Sequence, residues 1–185
     1  MKSLAFLIGV LLSPPLLAQA DNELIDRIRT YYAAVNSEIS DSERSGREGV
    51  LYCSKIVINA HNASWRAVGN YKEEIEFWHS DDPAFVQELM DENPLAVLKK
   101  VSIRSETAAR KTYEEYLFEN GKIVFAFIDD KNGEEPLQQR YYFSDTELIQ
   151  YRENTRIISD LSGVDSSAVM ARVGDIQSRF LAIFQ

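Results

Sequence analysis

Residues able to carry chemistry are few in this chain. Its single cysteine, Cys53, and its two histidines, His61 and His79, are the zinc-ligand types on offer, with Asp81 and Asp82 beside them. No CxxC or HExxH spacing joins any two of them into a chelating pair, so neither a metal nor a cofactor is expected, and the histidines read as surface or loop residues. Cys53 has no diagnostic base and makes a poor thiol nucleophile. The segment DDKNGEEP, Asp129 to Pro136, has the oxygen-rich look of a calcium loop, but Lys131 puts a cation where a ligand oxygen belongs. It reads as a hairpin loop instead. GxSxG, phosphate-cradling and dinucleotide motifs are absent, so no catalytic residue is assigned. Carboxylates are abundant, which leaves a hydrolase built on an unidentified carboxylate pair as a third reading of function.

Binding chemistry is better represented. Trp65, Tyr71, Glu74, Glu76, Trp78 and Asp81 set aromatic rings among acids, a combination that contacts a sugar face or a cationic side chain. The leading reading is therefore an exported, non-catalytic binding or accessory protein that uses this acidic and aromatic surface. Strand alternation puts Phe77 and Trp78 on opposite faces, and both are expected to be buried if helices cover the sheet on two sides. An alternative reading is a carrier of a small apolar ligand, with Phe118, Phe125, Phe127 and Phe143 lining a cavity in a curved sheet.

Composition narrows the partner. The chain has 29 acidic and 20 basic residues, a formal charge of −9. Such a balance disfavours nucleic acid and anionic lipid, which are bound by Lys and Arg. A cationic protein or peptide, or a glycan, remains compatible. MKSLAFLIGVLLSPPLLAQA, with Lys2, an apolar run from Leu4 to Leu12 and a small-residue end at Ala18-Gln19-Ala20, has the order of a secretory signal peptide cleaved before Asp21. The leader holds one base and no acid, so 19 bases and 29 acids leave −10 on residues 21–185. The expected location is periplasmic or extracellular, and no stretch is apolar and long enough to span a bilayer as a helix. With one cysteine no internal disulfide can form; its apolar setting, VLYCSKIVI, predicts burial.

The elements that position these side chains form one domain over residues 21–185. Leu24, Ile28, Tyr31 and Val35 recur at helical spacing and predict a helix over residues 22–37, followed by a polar loop in SDSERSGREG. Val50 to Asn59 is apolar on both alternating faces, as in a strand covered on two sides. Strands follow over residues 70–79, 95–105, 112–119, 122–129, 137–143 and 147–152, with connections too short for crossover helices; this is an antiparallel meander. Asp81-Asp82-Pro83 predicts the start of a short helix before Pro94. Val169, Val173, Ile176, Phe180 and Ile183 form the stripe of a C-terminal helix capped by Asp165 or Ser166, and Gly174 inside it suggests a close approach to the sheet. The expected fold is α+β: an antiparallel meander of six to eight strands packed with N- and C-terminal helices.

One segment is echoed. YLFENGKIVFAF from Tyr116 matches YYFSDTELIQY from Tyr141 at an offset of 25 positions. Asn120-Gly121 is a strong hairpin signal. In the second copy Asp145-Thr146 takes its place, and because Thr is poorly suited to positive φ a different turn is expected. Glu115 falls on Arg140 and Lys122 on Glu147, so the copies share an apolar ladder and no polar constellation. AVGNYKEEIEFWH, YLFENGKIVFAF and QRYYFSD together resemble a pattern in uncharacterised secreted bacterial proteins, over Trp65 to Glu153. The resemblance implies an exported β-meander and transfers no catalytic residue.

Overall fold

The computed structural model describes residues 16–45, 50–66, 69–80, 93–132 and 136–184. Helix α1 spans Leu16–Ser45 and buries Ile25, Ile28 and Val35 along one stripe. It is longer than the apolar spacing predicts and continues through the expected cleavage point after Ala20 at one end and through SDSERS at the other. The polar extension holds because no Gly or Pro interrupts it before Gly46, and Arg44 reaches back to pair with Asp41 and to donate to the Ser40 carbonyl at 3.2 Å. At this end the buried Ser42 Oγ accepts from the Leu51 amide at 2.9 Å, which ties the helix to the strand that follows.

Nine strands form one antiparallel sheet: β1 (Tyr52–Ile58), β2 (Ser64–Trp65), β3 (Gly69–His79), β4 (Leu98–Thr107), β5 (Lys111–Glu119), β6 (Lys122–Asp130), β7 (Leu137–Ser144), β8 (Glu147–Glu153) and β9 (Arg156–Ile158). Their spatial order is β1-β3-β4-β5-β6-β7-β8-β9, with β2 on β3. Helix α2 (Ser167–Ile183) closes the chain, and the architecture is the expected α+β meander with a helix at each end. The two strands that apolar patterning missed, β2 and β9, have only two and three residues, too few to show a period.

Several local expectations are corrected. β1 is an edge strand that pairs only with β3, so Cys53 is exposed and Val57 keeps 39% of its surface; apolar character on both faces did not signify cover on both faces. β4 begins at Leu98 because Pro94–Val97 forms a 3-10 turn. His79 is fully buried, against the rings of Tyr52, Phe180 and Phe184. Gly174 faces open space, and an added Cβ would meet nothing within 4 Å, so no close helix approach accounts for it. The helix expected after Pro83 lies outside the described residues.

One hairpin turn follows expectation and the other departs from it. Asn120 and Gly121 take φ of 52° and 78°, and Asp145 and Thr146 take 46° and 77°. Both turns are therefore left-handed at both central residues, as the right-handed strand twist demands, even where Thr146 bears the steric cost. The echo extends to irregularities: β5 and β6 slip register between Leu117 and Phe118, and β7 and β8 between Tyr142 and Phe143, 25 positions later.

The two faces of the sheet differ. One carries Ile75, Phe77, Val101, Ile103, Tyr116, Phe118, Tyr141 and Phe143 and packs against Val169, Val173, Ile176 and Phe180 of α2. The other carries Leu117, Val124, Phe125 and Tyr142 under Ile25, Ile28 and Val35 of α1. Phe77 and Trp78 are both buried, at 0% and 8% exposure, in an interior strand. None of the described helices is long and apolar enough to cross a membrane.

Candidate functional site

The residues singled out by aromatic and acidic type do not form one surface. Tyr71 lies on the α2 face, in register with Thr107, and Trp65 tilts against it at 5.5 Å. Glu74, Glu76 and Trp78 alternate onto the α1 face, where Trp78 is opposite the buried Lys100. Asp81 lies outside the described residues. The two acids are spoken for: Glu74 pairs with Lys55 at 2.9 Å and Lys72 at 2.6 Å, and Glu76 with Lys55 at 3.3 Å and Arg104 at 3.2 Å. The lysines hold the Glu74 carboxyl down at about 2. This stretch of the sheet is a ladder of paired charges, and Trp65, 44% exposed, is the open ring beside it.

Two buried ionic knots fasten the helices. On the α2 face Arg172 donates to Glu73 at 2.7 Å and to Glu114 at 3.4 Å, while Tyr71 and Ser105 also donate to Glu73, at 3.0 and 3.1 Å. On the α1 face Lys100 donates to Glu115 at 2.6 Å and to Asn36 at 2.7 Å. Tyr32 and Tyr113 each donate to Glu115 at 2.5 Å. Burial opposes the charge on Glu115, but Lys100 and the hydrogen bonds win and hold its carboxyl below the usual carboxylate range. Burial, helped by the bond to Glu115, pushes the Tyr113 hydroxyl up to about 12.

Beside the second knot, α1 leaves the sheet partly uncovered. A pocket of 260 Å³ opens there, lined by Ile28, Arg29 and Tyr32 of α1 and by Phe125, Phe127, Arg140 and Tyr142 of β6 and β7. Sheet geometry supplies the floor: Phe125 is opposite Tyr142 and Phe127 opposite Arg140, so aromatic and guanidinium side chains project together. Phe125 and Tyr142 pack at 5.1 Å, and Tyr32 meets Phe125 edge-on at 5.4 Å. Both arginines lie over rings, Arg140 4.9 Å from the centre of Phe127 and Arg29 5.7 Å from that of Tyr142. Such stacking uses the flat face of a guanidinium and leaves its N–H edge to donate. Arg29 donates to Asp26 at 2.9 Å, and Arg140 to the Asn154 carbonyl and the Gln138 Oε1, both at 3.0 Å.

Four phenylalanines expected around one cavity are split by the sheet. Phe118 and Phe143 are sealed in the α2 core, at 0% and 1% exposure, and Phe125 and Phe127 line the pocket. Residue-type reasoning missed Arg29, Tyr32, Arg140 and Tyr142, because acidic composition drew attention to acids. A usable signal lay in QQRYYF, where an arginine and an aromatic alternate onto one face two residues apart. Among the described residues, no group of three or more His, Cys, Asp or Glu is arranged to hold a metal ion. No known protein family, curated protein or solved structure matches the chain.

Proposed function

We propose that this chain is an exported, non-catalytic binding protein that holds a small ligand in the pocket between α1 and the sheet. The observation that carries the reading is the lining of that pocket: four aromatic rings and two ring-stacked arginines around 260 Å³. Ligand sites combine apolar walls with a few convergent polar groups in this way, though usually at 300 Å³ or more, which suits a small molecule. The Lys100–Glu115 knot pins α1 next to the pocket, so the walls are in place before a ligand arrives. Non-catalytic character is supported by the buried Glu115. Lys100 and three hydrogen bonds hold its carboxyl below the usual carboxylate range, whereas a general acid needs its proton retained near neutral pH. Export is supported by the leader-like order of the first twenty residues.

The test is native mass spectrometry of protein from its exported fraction, followed by thermal-shift screening with small amphiphiles. A passenger lost on denaturation, or a stabilising hit that Phe127→Ala abolishes, is the expected result. Bare protein with no hit in the screen would overturn the reading.

A further inference from the structure

We infer that the ligand's head is an oxyanion, a carboxylate in the simplest case, received by Arg140, which lines the pocket, and by Arg152, which is outside that lining but opposite Arg140 on β8. The inference rests on the binding reading above and names the class of ligand. Arg140 and Arg152 are directly opposite one another on β7 and β8, flanked by Tyr142 opposite Gln150. Like charges facing across a strand pair repel. Among the described residues no carboxylate pairs with either arginine; Asp129, in register with Gln138 next along this face, is turned to Lys131 at 3.7 Å. In a chain with 29 acids to 20 bases, two facing arginines without an acid stand out as an uncompensated site.

The hydrogen-bond accounting points the same way. The Nε of Arg152 and the Oε1 of Gln150 are buried and have no partner. Orphaned buried polar atoms cost stability and call for an explanation in a native structure. A carboxylate between the two guanidinium groups satisfies the Arg152 donor and the unused donors of Arg140, and neutralises the repelling pair. The orphaned Gln150 oxygen would take a hydrogen bond from a hydroxyl or N–H carried beside the acid. An apolar or aromatic body then lies over Phe127, Phe125 and Tyr142. The class is a small organic acid with a flat or compact apolar body.

Isothermal titration of the full chain with 1-naphthoate, 1-naphthylmethanol and 1-naphthylmethylamine separates head from body. The expected result is naphthoate binding at least tenfold tighter than the alcohol, and no binding of the amine. Arg152→Gln should weaken naphthoate at least tenfold while raising the unliganded melting temperature, because a repelling charge is removed; a merely structural arginine would lower it. Equal binding of acid and alcohol would overturn the oxyanion head and leave the pocket reading standing. Failure of all three probes to bind would overturn both.

Discussion

The two faces of this sheet are held in different ways. Under α2 the core is continuous, from Phe77 and Val101 through Tyr116 to Tyr141 and Tyr151, and its one ionic knot on Arg172 sits beside an apolar helix stripe. Under α1 the apolar cluster is shorter, a fully buried Lys–Glu pair replaces part of it, and an aromatic pocket opens at its margin. Apolar burial stabilises without directional demands, whereas a buried ion pair roughly offsets its own desolvation and chiefly fixes geometry. The α2 face thus carries the larger apolar core, although a more polar cavity of 390 Å³ lined by Glu114, Tyr116, Tyr141 and Arg172 opens beside it, and the α1 face carries the positioned aromatic pocket.

Breaking this comparison is most direct in the α2 core. Phe180→Ala empties a fully buried position and should cost about 3–5 kcal/mol in chemical denaturation, with the whole chain affected. Lys100→Met leaves Glu115 buried without its cation, and a loss of similar size, about 3–5 kcal/mol, is expected. The distinguishing readout is hydrogen exchange: amides of α1 should lose protection first in this variant, and uniform loss across both helices would contradict the division of labour.

Acid provides a gentler version of the same test. The folded-state pKa of Glu115 is depressed, so its contribution is present above the ordinary carboxylate value of about 4.3 and is lost as pH falls from there through the lower folded value. Helix α1 should loosen in that window. Tyr32 fluorescence or α1 exchange followed from pH 6 to 2 checks it, and Glu115→Gln should flatten the pH dependence. The smallest effect is on the outer side of α2: Gly174→Ala meets no neighbour and should stabilise by up to about 1 kcal/mol through helix propensity, seen as a raised Tm. Destabilisation there would mean that this side of α2 is not the free surface it is taken to be.

Much of the scaffold was legible in the chain, because helical stripes and strand alternation are local and repeat. Val169, Val173, Ile176 and Phe180 are the buried stripe of α2, as their spacing predicts, and Asn120-Gly121 turns its hairpin as expected. The site was much less legible. Trp65 and Tyr71 sit six positions apart and meet, but Glu74 and Glu76 are drawn to Lys55, Lys72 and Arg104, which come from three strands.

What the sequence determined by itself is the set of longer strands, the Asn120-Gly121 turn and the amphipathic stripes of the two helices, since each rests on residues within one turn or one hairpin of each other. The tertiary structure decided which helix covers which face, and it decided register. Counting outward from the Asp145-Thr146 turn in strict register would set Arg140 opposite Tyr151. The slip between Tyr142 and Phe143 sets it opposite Arg152 instead. A shift of one residue changes which side chains share a face, and no residue type in the chain announces the irregularity that makes it. The two arginines of the proposed site are neighbours only because of that slip.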